Sequence, residues 1–428
     1  MMMLALSAGV IAGSTVPREA VGQASGGSQA KPAAPKPATP ATRRPTTPAT
    51  RQAAANAAKS AGPAKPAATY WVYVGAESAD LIHRIKFGPD GATVERTIVA
   101  GEMAAETEGP HGLQISHDGK YLHMTTGHGS PDGKYWKYDL GADTLVGDPI
   151  FLGNFPASID VTPDGLYAFA VNFNLHGEMV PSSVSVIYTP TNTEVARPMT
   201  CTMPHGSRIS ADGTKQYSTC MMDDQLVEVD TRTFKVARRF NVAKGKEGAI
   251  NLGDFEAMLK EMMPADSTGS SPHKHQMAPA TCSPTWAQPS ASGSKIYVAC
   301  NKSDEILEID GASWTVSRRF ATGRAPYNLA VTPDGKLLVA SLKAGSGVQV
   351  FDLATGKSVM SEKTSITLAH GVTVSSDSRY AFVSVEGKGA QPGKVEIFDL
   401  TSFTKAATVD VGQQASGITF WKMEPARK

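Results

Sequence analysis

The feature that most constrains the fold of this chain is a short unit that recurs from Tyr70 onward. Each unit combines a small apolar strand, a turn close to Ser/Thr-x-Asp-Gly, a second strand, a polar loop and a third strand that ends near Asp. The glycine of such a turn supplies the positive φ that a tight hairpin requires. The third strands, for example residues 348–352, alternate between apolar and polar side chains, as strands do. The turns occupy residues 116–119, 162–165, 210–213, 290–293, 332–335 and 375–378.

The spacing of these units predicts a propeller. Their first strands begin at Pro110, Pro156, Pro204, Pro284, Pro326, Ala369 and Ala415, with intervals of 46, 48, 80, 42, 43 and 46 residues. Such a period, with three or four short strands per unit, is typical of a propeller blade. The strand at 415–421 has no later partners, and the strands at 71–75 and 81–87 have no first strand before them. Joining the two ends completes a seventh blade and leaves no open sheet edge. The sequence therefore predicts an all-β, seven-bladed β-propeller over residues 69–428.

The N-terminal part has a different composition. Residues 1–24 resemble a signal peptide, because the first 17 are uncharged and mostly apolar or small. Residues 25–68 form an Ala/Pro/Lys-rich segment with few side chains able to pack, so we expect a disordered linker. The net charge of +1 hides this division. Residues 18–68 hold eight basic residues and one acidic residue, whereas the remainder holds 33 basic and 39 acidic residues. A basic tail is thus predicted to precede an acidic propeller.

Two segments carry a resemblance to a known family. PHGSRISADG at 204–213 and PYNLAVTPDGKLLVA at 326–340 are similar to the YVTN-type repeat of extracytoplasmic, YncE-like seven-bladed propellers. The resemblance extends over residues 70–421. It implies the fold, and it places the chain in the superfamily that includes the propellers of nitrous-oxide reductase, haem d1 nitrite reductase and lactonase-like enzymes. Because propellers carry many activities, it does not imply one function.

Four cysteines fall into two equally spaced pairs. Cys201 and Cys220 are 19 residues apart, and Cys282 and Cys300 are 18 apart. In each pair, one cysteine precedes a first strand and the other ends the adjacent second strand, so antiparallel pairing brings them together. We predict two disulfides, which agrees with an oxidising compartment. The alternative is a thiolate metal site, although the usual C-x₂-C spacing is absent. The absence of C-x-x-C-H argues against covalent c-type haem.

Histidines collect on one predicted face. The loop that enters each first strand and the loop that leaves each second strand share a face, here called the top face. The residue after each blade-opening Pro or Ala is then expected beside the central channel. Three of these seven positions are histidines, His111, His205 and His370. We predict them as candidate metal ligands. The alternative is that each imidazole hydrogen-bonds to a neighbouring loop. The nitrous-oxide reductase propeller is similar in this respect, but its electron-entry copper domain has no counterpart here.

The long interval between the first strands that begin at Pro204 and Pro284 contains an insertion at residues 243–280. We predict a helix over 254–263 with Asp254 as its N-cap. It is followed by His273, His275 and Met277, whose imidazole and thioether groups suit copper or zinc. The alternative is that these residues belong to a surface loop and to core packing.

Further top-face side chains are expected to line the channel mouth: His128, His176, Trp286, Arg324, Tyr327, Lys343 and Glu386. Three classes of function remain open. The first is an extracytoplasmic binding protein that uses this mouth, with copper or zinc as one ligand. The second is an enzyme, either a lactonase-type hydrolase or a redox enzyme with a metal or a haem d1-like group. The third is a scaffold for protein interactions. No G-x-S-x-G nucleophile motif supports a catalytic residue, so the sequence leaves enzymatic activity undecided.

The expected partners follow from charge and segment type. The acidic propeller lacks the clustered basic groups that neutralise a nucleic-acid backbone, so no nucleic acid is expected. We expect the protein to be a monomer. Its expected partner is a small ligand, a metal ion or an extracytoplasmic protein. The signal-like segment predicts a periplasmic or secreted protein without a transmembrane anchor in the mature chain.

Overall fold

A computed structural model of the chain describes residues 64–102, 105–128, 132–175, 177–262 and 279–425. Several sequence predictions lie outside these described residues: the signal-like segment 1–24, most of the linker 25–68, and the candidate site residues His176, His273, His275 and Met277. The described residues contain no helix with the length and hydrophobicity needed to cross a bilayer.

The strands of the first four blades are β1 (Ala68–Ala76), β2 (Leu81–Gly88), β3 (Gly91–Val99), β4 (Pro110–Ile115), β5 (Tyr121–Thr126), β6 (Lys134–Asp139), β7 (Thr144–Leu145), β8 (Ile150–Phe151), β9 (Pro156–Val161), β10 (Tyr167–Asn172), β11 (Pro181–Tyr188), β12 (Thr193–Ala196), β13 (Met199–Thr202), β14 (Pro204–Ile209), β15 (Lys215–Cys220), β16 (Gln225–Asp230), β17 (Lys235–Asn241) and β18 (Gly248–Ala249). A 3₁₀ turn, Glu77–Ala79, separates β1 from β2.

The remaining elements are α1 (Leu252–Met262), β19 (Pro284–Pro289), β20 (Lys295–Cys300), β21 (Glu305–Asp310), β22 (Val316–Ala321), β23 (Pro326–Val331), β24 (Leu337–Leu342), β25 (Gly347–Asp352), β26 (Ser358–Lys363), β27 (Ala369–Val374), β28 (Tyr380–Val385), β29 (Pro392–Asp399), β30 (Thr404–Gln413) and β31 (Ala415–Pro425).

These strands form seven antiparallel sheets, one per blade. From the channel outward, blade one is β31–β1–β2–β3, and it joins the C-terminal strand to the N-terminal strands. Blade two is β4–β7 with β8 also paired to β6, and blade three is β9–β12 with β13 also paired to β11. Blades four to seven are β14–β18, β19–β22, β23–β26 and β27–β30. The predicted seven-bladed propeller with shared terminal strands is confirmed, and all seven predicted first strands begin at the predicted residue.

The core consists of seven apolar clusters between neighbouring blades and a smaller eighth cluster around Phe155 and Phe173. Tyr70 and Val72 of blade one pack against Phe382 of blade seven on one side. On the other side of the same sheet, Tyr73 packs against Leu122 and other apolar residues of blade two. Inner strands are buried on both faces because each sheet is covered by two neighbours. This explains why second strands such as β24 and β28 are almost wholly apolar and small rather than alternating.

The repeated turns close the first hairpin of blades two to seven. In the turn at 116–119, the amide of Gly119 donates to the Ser116 carbonyl at 2.8 Å, and Gly119 has φ of 72°. The Ser116 hydroxyl donates to Asp118 and accepts the amide of Tyr121 at 3.0 Å. The Ser/Thr, Asp and Gly of the repeat are therefore each required by the hydrogen bonds of one turn.

Both predicted disulfides are confirmed. Cys201 and Cys220 have Cα atoms 5.8 Å apart, and their bond connects β13 of blade three to the end of β15 in blade four. Cys282 and Cys300 have Cα atoms 4.5 Å apart and connect the entry of β19 to the end of β20. Both bonds lie on the top face, on either side of the insertion.

The insertion contains the predicted helix, but its N-terminus is shifted. Helix α1 begins at Leu252, two residues before the predicted start, so Asp254 lies in its first turn and is not the N-cap. The Asn251 side chain takes that role, since its Oδ1 accepts the amide of Gly253 at 2.9 Å.

Candidate functional site

The backbone entering each blade turns sharply toward the channel. The residue before each first strand has a positive φ in all seven blades: Gly109, Phe155, Met203, Ser283, Ala325, Leu368 and Gln414, with φ between 46° and 69°. Only one of them is glycine, so the other six adopt a conformation that L side chains seldom adopt. This turn directs the second residue of each first strand into the channel.

Two channel histidines are held by the backbone of the following blade. His111 Nδ1 donates to the carbonyl of Ala157, and His205 Nδ1 donates to the carbonyl of Thr285 at 2.7 Å. Because a carbonyl only accepts, Nδ1 carries the proton in both rings, and Nε2 of the neutral ring is left with its lone pair. His370 lies beside the backbone of Ser416, but the distance and angle at its Nδ1 do not satisfy a hydrogen bond.

The three imidazoles are close together and buried. His111 lies with its ring centroid 5.3 Å from that of His370 and 6.4 Å from that of His205. The exposed fraction is 8% for His111, 4% for His370 and 1% for His205. Burial, assisted by the charge of His111, lowers the pKa of His205 to about 3. Burial and the charge of Lys343 lower the pKa of His370 well below its usual value. His205 and His370 are therefore neutral near pH 7.

Tyr327 occupies the equivalent channel position of blade six and contacts two of these rings. Its hydroxyl lies 3.0 Å from Nε2 of His205, which accepts the hydroxyl proton. Its ring centroid lies 4.7 Å from that of His370. Of the three histidine Nε2 atoms, the one on His205 is thus already engaged by a phenol.

A second ring of side chains lies above the channel histidines. It consists of the first residue after each second strand, and six of its seven members line the mouth: Glu77, Phe173, Met221, Asn301, Lys343 and Glu386. Sequence analysis had selected only Lys343 and Glu386 of these. Applying the same register to β1, the second strand of blade one, would have identified Glu77.

Charged groups of the mouth occur as two pairs. Lys343 Nζ lies 2.8 Å from Glu386 Oε1, and that same oxygen lies 3.7 Å from Nε2 of His370. Burial lowers the pKa of Lys343, but Tyr327 and Glu386 outweigh burial, so the pKa is raised. Lys343 also lies over the Tyr327 ring, 4.3 Å from its centroid.

The second pair joins Glu77 of blade one to His128 of blade two. Burial alone would raise the pKa of Glu77, but His111 and the hydrogen bond from His128 outweigh it and lower the pKa. Burial lowers the pKa of His128, but Glu77 raises it by a larger amount. Each partner thus favours the charged form of the other. Glu77 additionally accepts a hydrogen bond of 3.1 Å from the Gln414 side chain.

Together these residues line a cavity of about 410 Å³ at the top mouth. Four of the predicted mouth residues, His128, Tyr327, Lys343 and Glu386, line this cavity beside the three channel histidines. Phe155 and Phe173, which sequence analysis did not select, form an aromatic wall against His111 and His205.

Two predicted mouth residues lie elsewhere. Arg324 is exposed and lines a separate surface pocket beside Gly345. Trp286 is the third residue of its strand rather than the second, so it lies deeper in the channel. There it borders a void of about 20 Å³ with Ser158 and Asn328. Trp286 Nε1, Ser158 Oγ and Asn328 Oδ1 have no hydrogen-bond partner among the described residues. A polar void of this size accommodates one water molecule.

The mouth offers specific chemistry for a ligand. It presents imidazole acceptors, a phenol, an ammonium and carboxylates. Each of the two ion pairs joins one carboxylate to one cationic group, so neither pair adds net charge to the mouth. Among the described residues, no group of three or more His, Cys, Asp or Glu side chains has the geometry of a metal site. A metal ion would therefore have to draw the imidazoles closer together.

Comparisons with known proteins address the fold. No protein-family model matches the chain, and no curated protein sequence matches it. Among solved structures, Kuenenia stuttgartiensis hydrazine synthase is similar, with a TM-score of 0.53 and 17% sequence identity. The match covers 73% of this chain and 91% of that chain. At this identity the similarity concerns the fold alone. The chain is therefore a seven-bladed β-propeller with a preorganised, histidine-rich cavity at one end of its channel.

Proposed function

We propose that this protein is an extracytoplasmic propeller of the YVTN/YncE type that binds copper or zinc in its top mouth. The ligands are Nε2 atoms of His111, His205 and His370. One observation carries this proposal: backbone carbonyls of the next blade hold Nδ1 of His111 and His205. Such outer hydrogen bonds orient metal-binding imidazoles and fix their tautomer. Imidazole nitrogen suits both copper and zinc.

The charged groups around the imidazoles leave no excess positive charge to repel a cation. Glu77 and Glu386 are within the same cavity, and their charges offset those of His128 and Lys343. His370 is the ring with the weakest backbone restraint, so it is the one most free to move toward an ion held by the others. The two disulfides support an oxidising compartment, and we propose a periplasmic or secreted location. His273, His275 and Met277 would supply further donors from the insertion.

Metal titration of untagged, chelator-treated protein tests this function. We expect one equivalent of Cu(II) or Zn(II) to bind in calorimetry, with nitrogen hyperfine coupling in the Cu(II) electron paramagnetic resonance spectrum. The H111A/H205A/H370A variant should bind at least 100-fold more weakly, about 2.7 kcal/mol or more. His117→Ala is the matched control, because His117 is exposed on the opposite face. A folded triple variant that retains stoichiometric metal would contradict the proposal. A separate H273A/H275A variant tests the insertion.

A second candidate function is hydrolysis, favoured by the position of Glu386 between Lys343 and His370. A carboxylate beside a neutral imidazole suits activation of water, and the ammonium suits stabilisation of a developing oxyanion. Lactone opening, followed as acid release in a pH-stat, tests this candidate. Glu386→Gln should abolish any activity, whereas Arg324→Gln, outside the cavity, should preserve it.

A further inference from the structure

A second cavity lies at the other end of the channel, here called the bottom mouth. It has a volume of about 650 Å³. The fifth residue of every first strand lines it: Gln114, Asp160, Arg208, Gln288, Ala330, Thr373 and Thr419. Residues near the start of the first strands thus line the top mouth, and a second set, the fifth residues, lines the bottom mouth. The proposed function uses no residue of this second set.

Arg208 is the strongest chemical feature of the bottom mouth. Its guanidinium lies over the Trp286 ring, 4.4 Å from the ring centroid. Nε donates to the side-chain oxygen of Gln288 at 3.3 Å, and Nη1 donates to the Ser207 carbonyl at 2.8 Å. Nη2 makes no hydrogen bond to any residue that the structure describes. Within those same residues, no carboxylate oxygen lies within the 4.0 Å of an ion pair with this guanidinium.

The carboxylate near Arg208, that of Asp160, already accepts hydrogen bonds from the backbone. Asp160 accepts the amide of Val161 at 2.9 Å through one oxygen and the amide of Ile209 at 2.7 Å through the other. Burial raises the pKa of Asp160, and the charge of Arg208 acts in the opposite direction. Burial lowers the pKa of Arg208, and Asp160 is the charged group that opposes this change. Arg208 is half-buried, and a guanidinium with N–H groups left over at a cavity suits an oxyanion, which accepts charge-assisted hydrogen bonds.

The shape and charge of the cavity define the ligand. The planar fork of a guanidinium matches the two oxygens of a carboxylate. Among the described residues that line the cavity, Arg208 is the one cation without an ion pair, because Lys422 at the rim pairs with Glu424 at 2.6 Å. A single negative charge is therefore favoured over a dianion. Phe420 and Trp421, also part of the lining, provide apolar surface. We propose that the bottom mouth binds a small organic monocarboxylate, with Arg208 as its anchor and the aromatic residues contacting its apolar part.

Benzoate and benzamide provide a matched pair of probes, because they differ mainly in charge. In ligand-observed NMR titrations of the full chain, we expect saturable binding of benzoate and at least tenfold weaker binding of benzamide. Arg208→Gln should weaken benzoate binding at least tenfold and leave metal binding at the top mouth unchanged. Arg238→Gln is the matched control. Arg238 also stacks on a tryptophan, Trp314, at 4.3 Å, but it already makes two hydrogen bonds to Glu228.

Two results would overturn the proposal. One is equal binding of benzoate and benzamide, and the other is undiminished benzoate binding by a folded Arg208→Gln variant. If that variant does not fold, ¹⁵N-labelled wild-type protein decides the matter. Benzoate should then shift the Nε–H resonance of Arg208 and leave that of Arg238 in place. Absence of a shift at Arg208 would reject the site.

Discussion

The top and bottom mouths are built on the same seven first strands, yet they treat buried charge in opposite ways. At the top, Lys343 is paired with Glu386 and His128 with Glu77. At the bottom, Arg208 lies against an aromatic ring while the nearest carboxylate serves backbone amides. The difference teaches that a mouth whose charges are paired suits a metal ion bound by imidazole lone pairs. A mouth with an unpaired guanidinium suits an anionic ligand.

Trp286 lies between the two mouths and contacts a residue of each, so Trp286→Ala is the strongest way to break the comparison. This side chain is 5% exposed and contacts both Arg208 and His205. Its removal should lower the free energy of unfolding by about 3–5 kcal/mol, as for other buried aromatics. Urea denaturation followed by circular dichroism measures this loss.

Trp314→Ala serves as the control for that change. Trp314 is buried and stacked on Arg238, but it lies in a blade interface away from both mouths. The Trp314→Ala variant should lose a similar free energy of unfolding and still bind metal at the top mouth and benzoate at the bottom mouth. A loss below about 1 kcal/mol for Trp286→Ala would show that the ring does not depend on this residue.

The disulfides brace only the top mouth, and their removal should affect the mouths unequally. C201A/C220A opens a loop of 19 residues, which should cost about 3 kcal/mol. Alanine is preferred to serine because both sites are fully buried. Thermal unfolding measures the loss, and thiol titration of the unreduced wild-type protein should find no free thiol. We expect weaker metal binding but unchanged benzoate binding. An equal loss of metal affinity and benzoate affinity would argue that the two mouths do not bind their ligands independently.

The smallest expected effect concerns Tyr327→Phe, which sharpens the account of the top mouth. The change removes the donor to His205 Nε2 and keeps the ring beneath Lys343. Freeing this nitrogen should strengthen metal binding by up to tenfold, about 1.4 kcal/mol. Calorimetric titration measures it, with Tyr297→Phe in blade five as the control. Weaker binding would instead identify the phenol as a ligand.

Sequence reasoning succeeded where the repeat itself encodes the structure. The turn residues and the blade-opening Pro or Ala define backbone geometry within one unit, so strand starts, blade number and disulfide positions were all predictable. The pattern also placed His111, His205 and His370 at equivalent positions beside one channel.

What the sequence could not provide are contacts between units. Tyr327 and His205 are 122 residues apart, and no single repeat indicates that they touch. Glu77 was missed because blade one is assembled from both chain ends, which hides its register. Phe155 was missed because a positive φ before the first strand is expected of glycine, and only one of the seven residues with this φ, Gly109, is a glycine. Helix α1 began earlier than predicted because Asn251 competes with Asp254 for the cap.

The pairing of β1 with β31 has a mechanical consequence. The two strands run antiparallel, with Ala68 opposite Pro425 at one end and Ala76 opposite Ala415 at the other. Tension between the N-terminal segment and the C-terminus would therefore reach the Ala68–Pro425 end first. It would peel the hydrogen bonds apart one after another instead of loading them all in shear, because these bonds lie perpendicular to the strands. The seam that closes the ring is thus the place where the propeller yields first to a pull, while the other blades stay intact.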